Sequence, residues 1–194
     1  MSGWAEPRKS LHAAMLALRP LPRGERLARA SSWTMYYFSA LIIPVVASAA
    51  RTGRVPVVGI DDLLCESDAA GHVVGFKPRQ GAGDRTGFEA LVDDHLAVAV
   101  ETCGTVAGFP ARVAWSNAAV VLDYAIVAAR VEGDAGDALG EAEALIGASG
   151  DPRLAGPYGA GEPRARRVCC LRYLSPDGAL CPGICPKAPF VALS

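Results

Sequence analysis

The sequence has almost no net charge, and it lacks the common signature of dinucleotide-binding enzymes. Its 19 lysines and arginines against 20 acidic residues give a formal net charge of −1 at pH 7, which offers no electrostatic case for binding nucleic acid. No G-x-G-x-x-G motif follows a predicted strand, because the nearest glycine clusters, at 81–83 and 159–161, lack its spacing. The sequence therefore gives no argument for a nicotinamide or flavin site.

The sequence also lacks a persuasive export signal and a persuasive membrane span. The apolar stretch at 11–18 is short, and the Ala-Arg-Ala run at 28–30 only mimics a cleavage site. Five charged residues lie between residue 18 and the end of that run, which a signal peptide would not tolerate. Residues 33–50 carry no formal charge but include several polar side chains and Pro44, so a buried helix kinked or broken near Pro44 is the better interpretation. We expect a cytoplasmic protein with no transmembrane span, and peripheral contact with a membrane stays open.

What the chain does contain is enough apolar residues for one sizeable core. Of its 194 residues 51% are hydrophobic and 20% are charged, which is typical of a single globular domain and excludes disorder. The charge is unevenly distributed, at +6 over 1–54, −10 over 55–160 and +3 over 161–194. The basic tail favours an acidic partner or an anionic ligand, or it is a run of solvated arginines.

Helical patterns dominate the chain. Ser31 or Ser32 is a candidate N-cap for the second helix, Thr86 and Glu89 fit a capping box at the start of the third, and Ser116 or Asn117 begins the fourth. The predicted helices lie near 8–18, 32–51, 85–107, 116–131 and 137–148.

Two runs with β-type composition, 55–64 and 72–77, flank a glycine-containing turn and predict a hairpin. A Gly/Pro-rich stretch at 151–163 is typical of a linker. We therefore expect an α+β fold, in which 1–160 form a mainly helical body with a small antiparallel β element. The remaining residues, 161–194, form a C-terminal segment packed on that body.

Some polar residues fall on apolar helix faces. His95 and Cys103 recur with the apolar positions of the third helix at spacings of three and four, so both should point into the core. The fourth helix is apolar around most of its circumference, and its Asp123 would be a buried or half-buried acid that needs a partner.

The main clue to function is the cysteine distribution. Four of the six cysteines lie in the last 26 residues, in the pattern C-C-x10-C-x3-C. A Pro-Asp-Gly turn between the two pairs can fold them onto each other and supply four thiolates to one centre. In a cytoplasmic protein, clustered thiols bind metal or do redox chemistry more often than they form lasting disulfides.

Three interpretations of these thiols compete. Zinc suits four thiolates, but paired zinc ligands usually stand about two to four residues apart, and the adjacent Cys169 and Cys170 make a poor knuckle. Neighbouring residues on an extended segment project to opposite sides, which the separated iron atoms of a two-iron cluster accommodate more readily. Disulfides or free thiols are the third interpretation.

The same residues resemble a known family. The run CCLRY at 169–173, the ten-residue gap, Cys181 and Cys185-Pro186 are similar to the C-terminal signature of the FhuF-type ferric siderophore reductases, which bind a [2Fe-2S] cluster. The family's pattern closes with two residues between the last cysteines, whereas this chain has three. Either Gly183 absorbs the extra residue, or the loop shifts and Cys185 ligates in an altered geometry.

Shorter pieces of the body resemble the family in the same order. They are Ser32-Trp33 followed by an apolar helix, DHL at 94–96 and AWSNAA at 114–119. The resemblance implies a C-terminal cluster-binding segment and the one-electron reduction of a ferric siderophore, of the hydroxamate type by family precedent, which releases Fe(II) in the cytoplasm. The cluster ligands that it implies are Cys169, Cys170, Cys181 and Cys185.

The sequence does not encode an obvious electron source, and its charge distribution suggests where a separate donor would dock. An acidic, ferredoxin-like donor would dock on the basic tail, at Arg164, Arg166, Arg167 and Arg172. Trp115 and Asn117 are further candidates for docking a substrate or partner and would help to build the surroundings of the cluster, with a helix cap as the other role for Asn117. The alternative functions are a zinc-stabilised structural or interaction module, and an iron–sulfur electron carrier or redox sensor with a protein partner.

Overall fold

The computed structural model describes residues 3–82, 86–133, 137–160, 164–178, 180–181 and 183–187. Helices form most of the described chain, and one antiparallel β-hairpin accompanies them. The predicted α+β fold is therefore confirmed. In chain order the elements are α1 (Pro7–Ala17), α2 (Arg23–Thr52), β1 (Leu63–Ser67), β2 (Val73–Pro78), α3 (Gly87–Ala90), a π-helical turn (Leu91–Leu96), α4 (Ala97–Ala107), α5 (Ala111–Val131), α6 (Asp137–Ile146) and a 3-10 turn (Arg172–Leu174).

The long helices α2 and α5 pack against each other in the core. Helix α2 buries Tyr37, Phe38 and Leu41 there, and α5 is buried at almost every position from Val113 to Leu122. Full burial of one such side chain contributes roughly 1.5–3 kcal/mol relative to leaving it exposed. This pair of helices is the frame on which the C-terminal segment packs.

Helix α2 is longer than its sequence signals indicate. We expected a short basic helix up to Ala30 and a new helix capped at Ser31 or Ser32, but one helix of 30 residues runs through both serines. The prediction of a cap was wrong because Ser31 is buried and its hydroxyl accepts a hydrogen bond from α5. Burial of one continuous face then stabilises the helix where local propensity would end it.

Pro44 lies inside α2, which continues to Thr52 and ends at Gly53 in the left-handed conformation usual for helix C-caps. The helix is therefore not broken at Pro44. Among the described helices, α2 is the one long and apolar enough to cross a membrane, yet half of its most apolar window is buried inside the protein. That is weak evidence for a span, because the core helix of a globular protein passes the same test.

The hairpin forms as predicted, but its first strand begins later. β1 pairs with β2 in antiparallel register, with an irregularity between Glu66 and Ser67. Residues 55–62, which contain Pro56, are irregular, although Val58 and Ile60 are buried. A proline cannot donate to a ladder, so it keeps the first part of this run out of the sheet.

One helix start is confirmed without its predicted capping bond, and one was placed wrongly. Thr86 precedes α3, but its side chain makes no capping hydrogen bond in the part of the chain that the structure describes. Helix α5 begins at Ala111 after Pro110, so Asn117 is not a cap but a fully buried residue inside the helix. Asp123 is largely buried and pairs with Arg164 at 3.5 Å, which satisfies the predicted need for a partner.

The π-helical turn carries a buried histidine. His95 and Cys103 are both fully buried, as predicted. His95 Nδ1 lies 2.8 Å from the Val58 carbonyl, which can only accept, so Nδ1 carries the proton. The Tyr37 hydroxyl, 2.7 Å from Nε2, then donates to a neutral imidazole. Burial lowers the pKa of His95 to about 4.

We expect this histidine to make the protein acid-sensitive. In the unfolded chain His95 has its ordinary pKa of about 6.5, so below that pH the unfolded state binds a proton that the folded state does not bind until about pH 4. Stability is fully present above pH 6.5 and falls by roughly 3 kcal/mol as the pH drops towards 4. Urea unfolding at several pH values measures this slope.

His95→Gln should remove most of the slope. The control is His12→Gln, on the exposed face of α1, which should retain it. Equal slopes in the unchanged protein and both variants would contradict the assignment.

Candidate metal centre

The chain in front of the cysteines is held by a short antiparallel pairing. Arg166 bridges to Tyr158, the Gly159 N–H donates to the Ala165 carbonyl at 2.9 Å, and the Arg167 N–H donates to the Pro157 carbonyl at 3.0 Å. The stretch predicted as a linker is thus, at 157–159, the partner that fixes the C-terminal segment; residues 161–163 lie outside the described part. Further along, the 3-10 turn packs on the N-terminal part of α2.

A sharp bend brings the first cysteine pair to the second. Leu171 has φ of 62°, in the left-handed region, which non-glycine residues rarely adopt. The chain turns there, and the Sγ atoms of Cys170 and Cys181 approach to 2.7 Å. The structure thus joins one cysteine of the first pair to one of the second.

The four thiols differ in exposure. Cys170 and Cys185 are each 6% exposed, whereas Cys169 and Cys181 are half-buried. Within the described residues no group of three His, Cys, Asp or Glu side chains is close enough to hold a single metal ion. The thiols of Cys170 and Cys181 are thus in contact with each other. Cys169 and Cys185 lie on the same short C-terminal segment.

The extra residue before Cys185 falls next to a glycine in a special conformation. Gly183 has φ of 72°, which glycine adopts without strain. The Ile184 carbonyl accepts a hydrogen bond of 3.0 Å from the Arg166 N–H, which fixes the chain just before Cys185. Both observations agree with the expectation that Gly183 absorbs the longer spacer, while ligation by Cys185 stays a prediction.

The contact between the two thiols shifts their pKa values in opposite directions. The hydrogen bond from Cys181 lowers the pKa of Cys170 to about 6, and the backbone N–H of Arg172 and the positive charge of Arg166 act in the same direction. The same contact raises the pKa of Cys181, because that thiol is the one that keeps its proton. Cys170 is therefore available as a thiolate, the form in which cysteine binds iron.

Arg166 is not on the surface, so its predicted role in docking is wrong. It is 3% exposed, and its Nη2 donates to Asn117 Oδ1 at 2.6 Å and to Ser116 Oγ at 3.2 Å. Asn117 Nδ2 in turn donates to the hydroxyls of Ser31 at 3.0 Å and Thr34 at 2.9 Å. This polar network, formed by these five residues, joins α2, α5 and the C-terminal segment.

Asn117 therefore acts inside the protein and not at a docking surface. The sequence reasoning missed Ser31 and Thr34 as its partners, since the single available signal was a pair of small polar residues on the otherwise apolar face of α2. Arg166 Nε is buried and has no hydrogen-bond partner among the described residues. An unsatisfied cationic donor at the cavity that Cys170 and Cys181 also line fits an anionic, sulfur-bound cluster.

A cavity of about 220 Å³ lies between α2 and the cysteine segment. Its lining includes both contacting thiols, Cys170 and Cys181, together with Arg166, Arg172 and Tyr36. One cysteine of each pair, a buried cation and an open space thus meet at one place. No other described cysteine is near it, since Cys65 belongs to β1 and Cys103 to α4.

The other predicted docking residues are accessible. Arg164 lies over the Tyr158 ring at 4.4 Å, and Arg167 and Arg172 are exposed. Trp115 is half-buried at a second cavity of about 280 Å³, which Arg167 and Val168 also line, with the Arg153 guanidinium 5.0 Å from its ring centre. Whether a partner docks on these residues stays a prediction.

Comparison with known families agrees with this site. Residues 166–187 match the family model of the FhuF 2Fe-2S C-terminal domain. The match contains all four clustered cysteines and begins at the buried Arg166. The C-terminal segment is therefore similar to the FhuF 2Fe-2S C-terminal domain, and the cofactor that this similarity indicates is a [2Fe-2S] cluster. No curated protein matches the chain with significant similarity.

The ligand assignment is tested by single Cys→Ser substitutions. We expect Cys169→Ser, Cys170→Ser and Cys181→Ser to abolish cluster assembly, because a serine oxygen is a harder and weaker donor to iron than a thiolate. Cys185→Ser should also reduce it. Iron and acid-labile sulfide are measured after anaerobic purification.

The matched control is Cys65→Ser, which changes a buried cysteine outside the segment and should leave the iron content unchanged. A Cys170→Ser or Cys181→Ser protein that carries the full amount of iron and sulfide would show that the ligand set is different.

Proposed function

We propose that this protein is a cytoplasmic ferric siderophore reductase. The match of residues 166–187 to the FhuF 2Fe-2S C-terminal domain is the observation that carries the proposal. Siderophores hold Fe(III) through hard oxygen donors, and Fe(II) is held far more weakly by the same donors. One electron added to the bound iron therefore releases Fe(II) and leaves the chelator intact.

The four clustered cysteines would hold the cluster. When bound, a [2Fe-2S] cluster takes up and gives off single electrons. Cys170 and Cys185 are buried and keep that side of the site away from water. Cys169 and Cys181 are half-exposed, so an external chelate can come close without entering the protein.

The size of the cavity supports a surface encounter. At about 220 Å³ it is smaller than the roughly 300–1,000 Å³ that encloses a drug-sized ligand. A ferric siderophore would thus touch the protein near the half-exposed thiols and Arg172 without being enclosed. Loose recognition of this kind fits several chelates, of which a hydroxamate is our first choice by family precedent.

The reaction is tested with the iron-loaded protein, reduced chemically under anaerobic conditions. Mixing with a ferric hydroxamate should reoxidise the protein and release about one Fe(II) per chain, as the transfer of a single electron requires; an Fe(II)-specific dye and the visible spectrum measure both. The gallium form of the same chelator, which does not accept the electron, is the control for binding alone. Catecholate chelates define the range of substrates.

If ferric chelates do not reoxidise the reduced protein while a protein acceptor does, the chain is an electron carrier or a redox sensor. A colourless purified protein with stoichiometric zinc would instead support the zinc-stabilised module. Either result overturns the reductase proposal.

We also propose that an acidic, ferredoxin-like protein delivers the electron at the exposed arginines of the segment. Replacing Arg164, Arg167 and Arg172 by Gln should slow electron uptake roughly tenfold at low ionic strength, because opposite charges steer such encounters. Arg54→Gln is the matched control: it is exposed beyond the far end of α2, and this helix is about 45 Å long. Stopped-flow traces at several salt concentrations measure the rate; fast, salt-insensitive uptake by the triple variant would refute the docking site.

A further inference from the structure

The polar network under the cysteine segment contains a buried positive charge without a buried negative partner. The Arg166 guanidinium is bonded to a hydroxyl and to an amide oxygen, both neutral. In the described part of the chain no carboxylate forms an ion pair with it, and its Nε has no acceptor. Burying a cation in this way is strongly unfavourable unless an anion compensates for it.

The surroundings indicate where that anion lies. Arg166 lines the same cavity as Cys170 and Cys181, and its backbone N–H holds the Ile184 carbonyl next to Cys185. Its side chain thus faces the cavity that holds one cysteine of each pair, and its backbone binds the residue before Cys185. A cluster bound by four thiolates has a net negative charge, and this charge grows when an electron is added.

The network also fixes the position of this charge. Asn117 Oδ1 is 2.6 Å from Arg166 Nη2, and Asn117 Nδ2 is tied to two hydroxyls of α2. Thr34 Oγ1 donates in turn to the Ser31 carbonyl at 2.8 Å. Every member is buried, so the guanidinium, although it belongs to the C-terminal segment, is fixed by a side chain of α5 that is itself bonded to α2.

We propose that Arg166 is the buried counter-charge of the [2Fe-2S] cluster and that Asn117 is the residue that positions it. A fixed cation in a site shielded from water stabilises the more negative, reduced form and so raises the reduction potential. This inference rests on the cluster site but not on the identity of the electron acceptor. Arg166 therefore sets how readily the protein holds its electron.

The reduction potential of the iron-loaded protein tests the proposal. Arg166→Gln should make electron uptake about tenfold less favourable, which is about 59 mV for a one-electron couple. Arg166→Lys keeps the charge and should change the potential much less. The matched control is Arg167→Gln, which removes the same charge from the exposed neighbouring position and should have little effect because water screens it.

A second variant decides the case if Arg166→Gln fails to retain iron. Asn117→Asp keeps the shape of the side chain but places a carboxylate against the guanidinium and neutralises it. The proposal expects a lower potential, as for Arg166→Gln, with the cluster still bound. An unchanged potential in a loaded Arg166→Gln or Asn117→Asp protein would overturn it and leave a purely structural role.

These measurements are equilibrium titrations without a siderophore. A protein that fails to reduce ferric chelates can still show the predicted potential shift, and an active reductase can fail to show it. The two proposals are therefore tested separately.

Discussion

The attachment of the cysteine segment to the helical body depends on one buried guanidinium. The segment is too short to form a hydrophobic core of its own, and the network from Arg166 through Asn117 to α2 is its main polar anchor. Because the charge of Arg166 lacks a carboxylate partner in the described residues, this anchor is stabilised further when an anion binds beside it. Cluster binding and the docking of the segment are thus coupled, as is common at metal sites whose ligands lie on short chains.

The body can support such an anchor because the polar group at its centre, the His95 imidazole, is satisfied internally. The π-helical turn places His95 between the Tyr37 hydroxyl and the Val58 carbonyl, so both ring nitrogens have partners. Rings of Trp33 and Phe76 pack around Tyr37 at 5.1 and 5.3 Å. With the core fixed in this way, α2 and α5 hold Ser31, Thr34 and Asn117 in a constant arrangement under the segment.

The sequence predicts the parts of this structure that depend on local pattern. Cysteine spacing predicted the cluster segment, and periodicity predicted the helices and the inward direction of His95 and Cys103. The errors concern residues whose role depends on distant partners. Ser31 and Asn117 both fit helix caps locally, yet they are hydrogen-bonded to each other across 86 positions of the chain. Arg166 was predicted to be exposed like the neighbouring arginines, because nothing in the local sequence distinguishes a buried arginine from an exposed one.

The difference between Arg166 and the exposed arginines separates two roles that the sequence merges into one basic tail. Charges on Arg167 and Arg172 face water, so their effect on a partner weakens as salt is added. The charge on Arg166 is enclosed by neutral groups, so ionic strength scarcely changes its effect on the neighbouring thiols. One segment can therefore tune the electron affinity of its cofactor from the inside and the encounter with a donor from the outside. The two properties can also change independently, because no single arginine serves both.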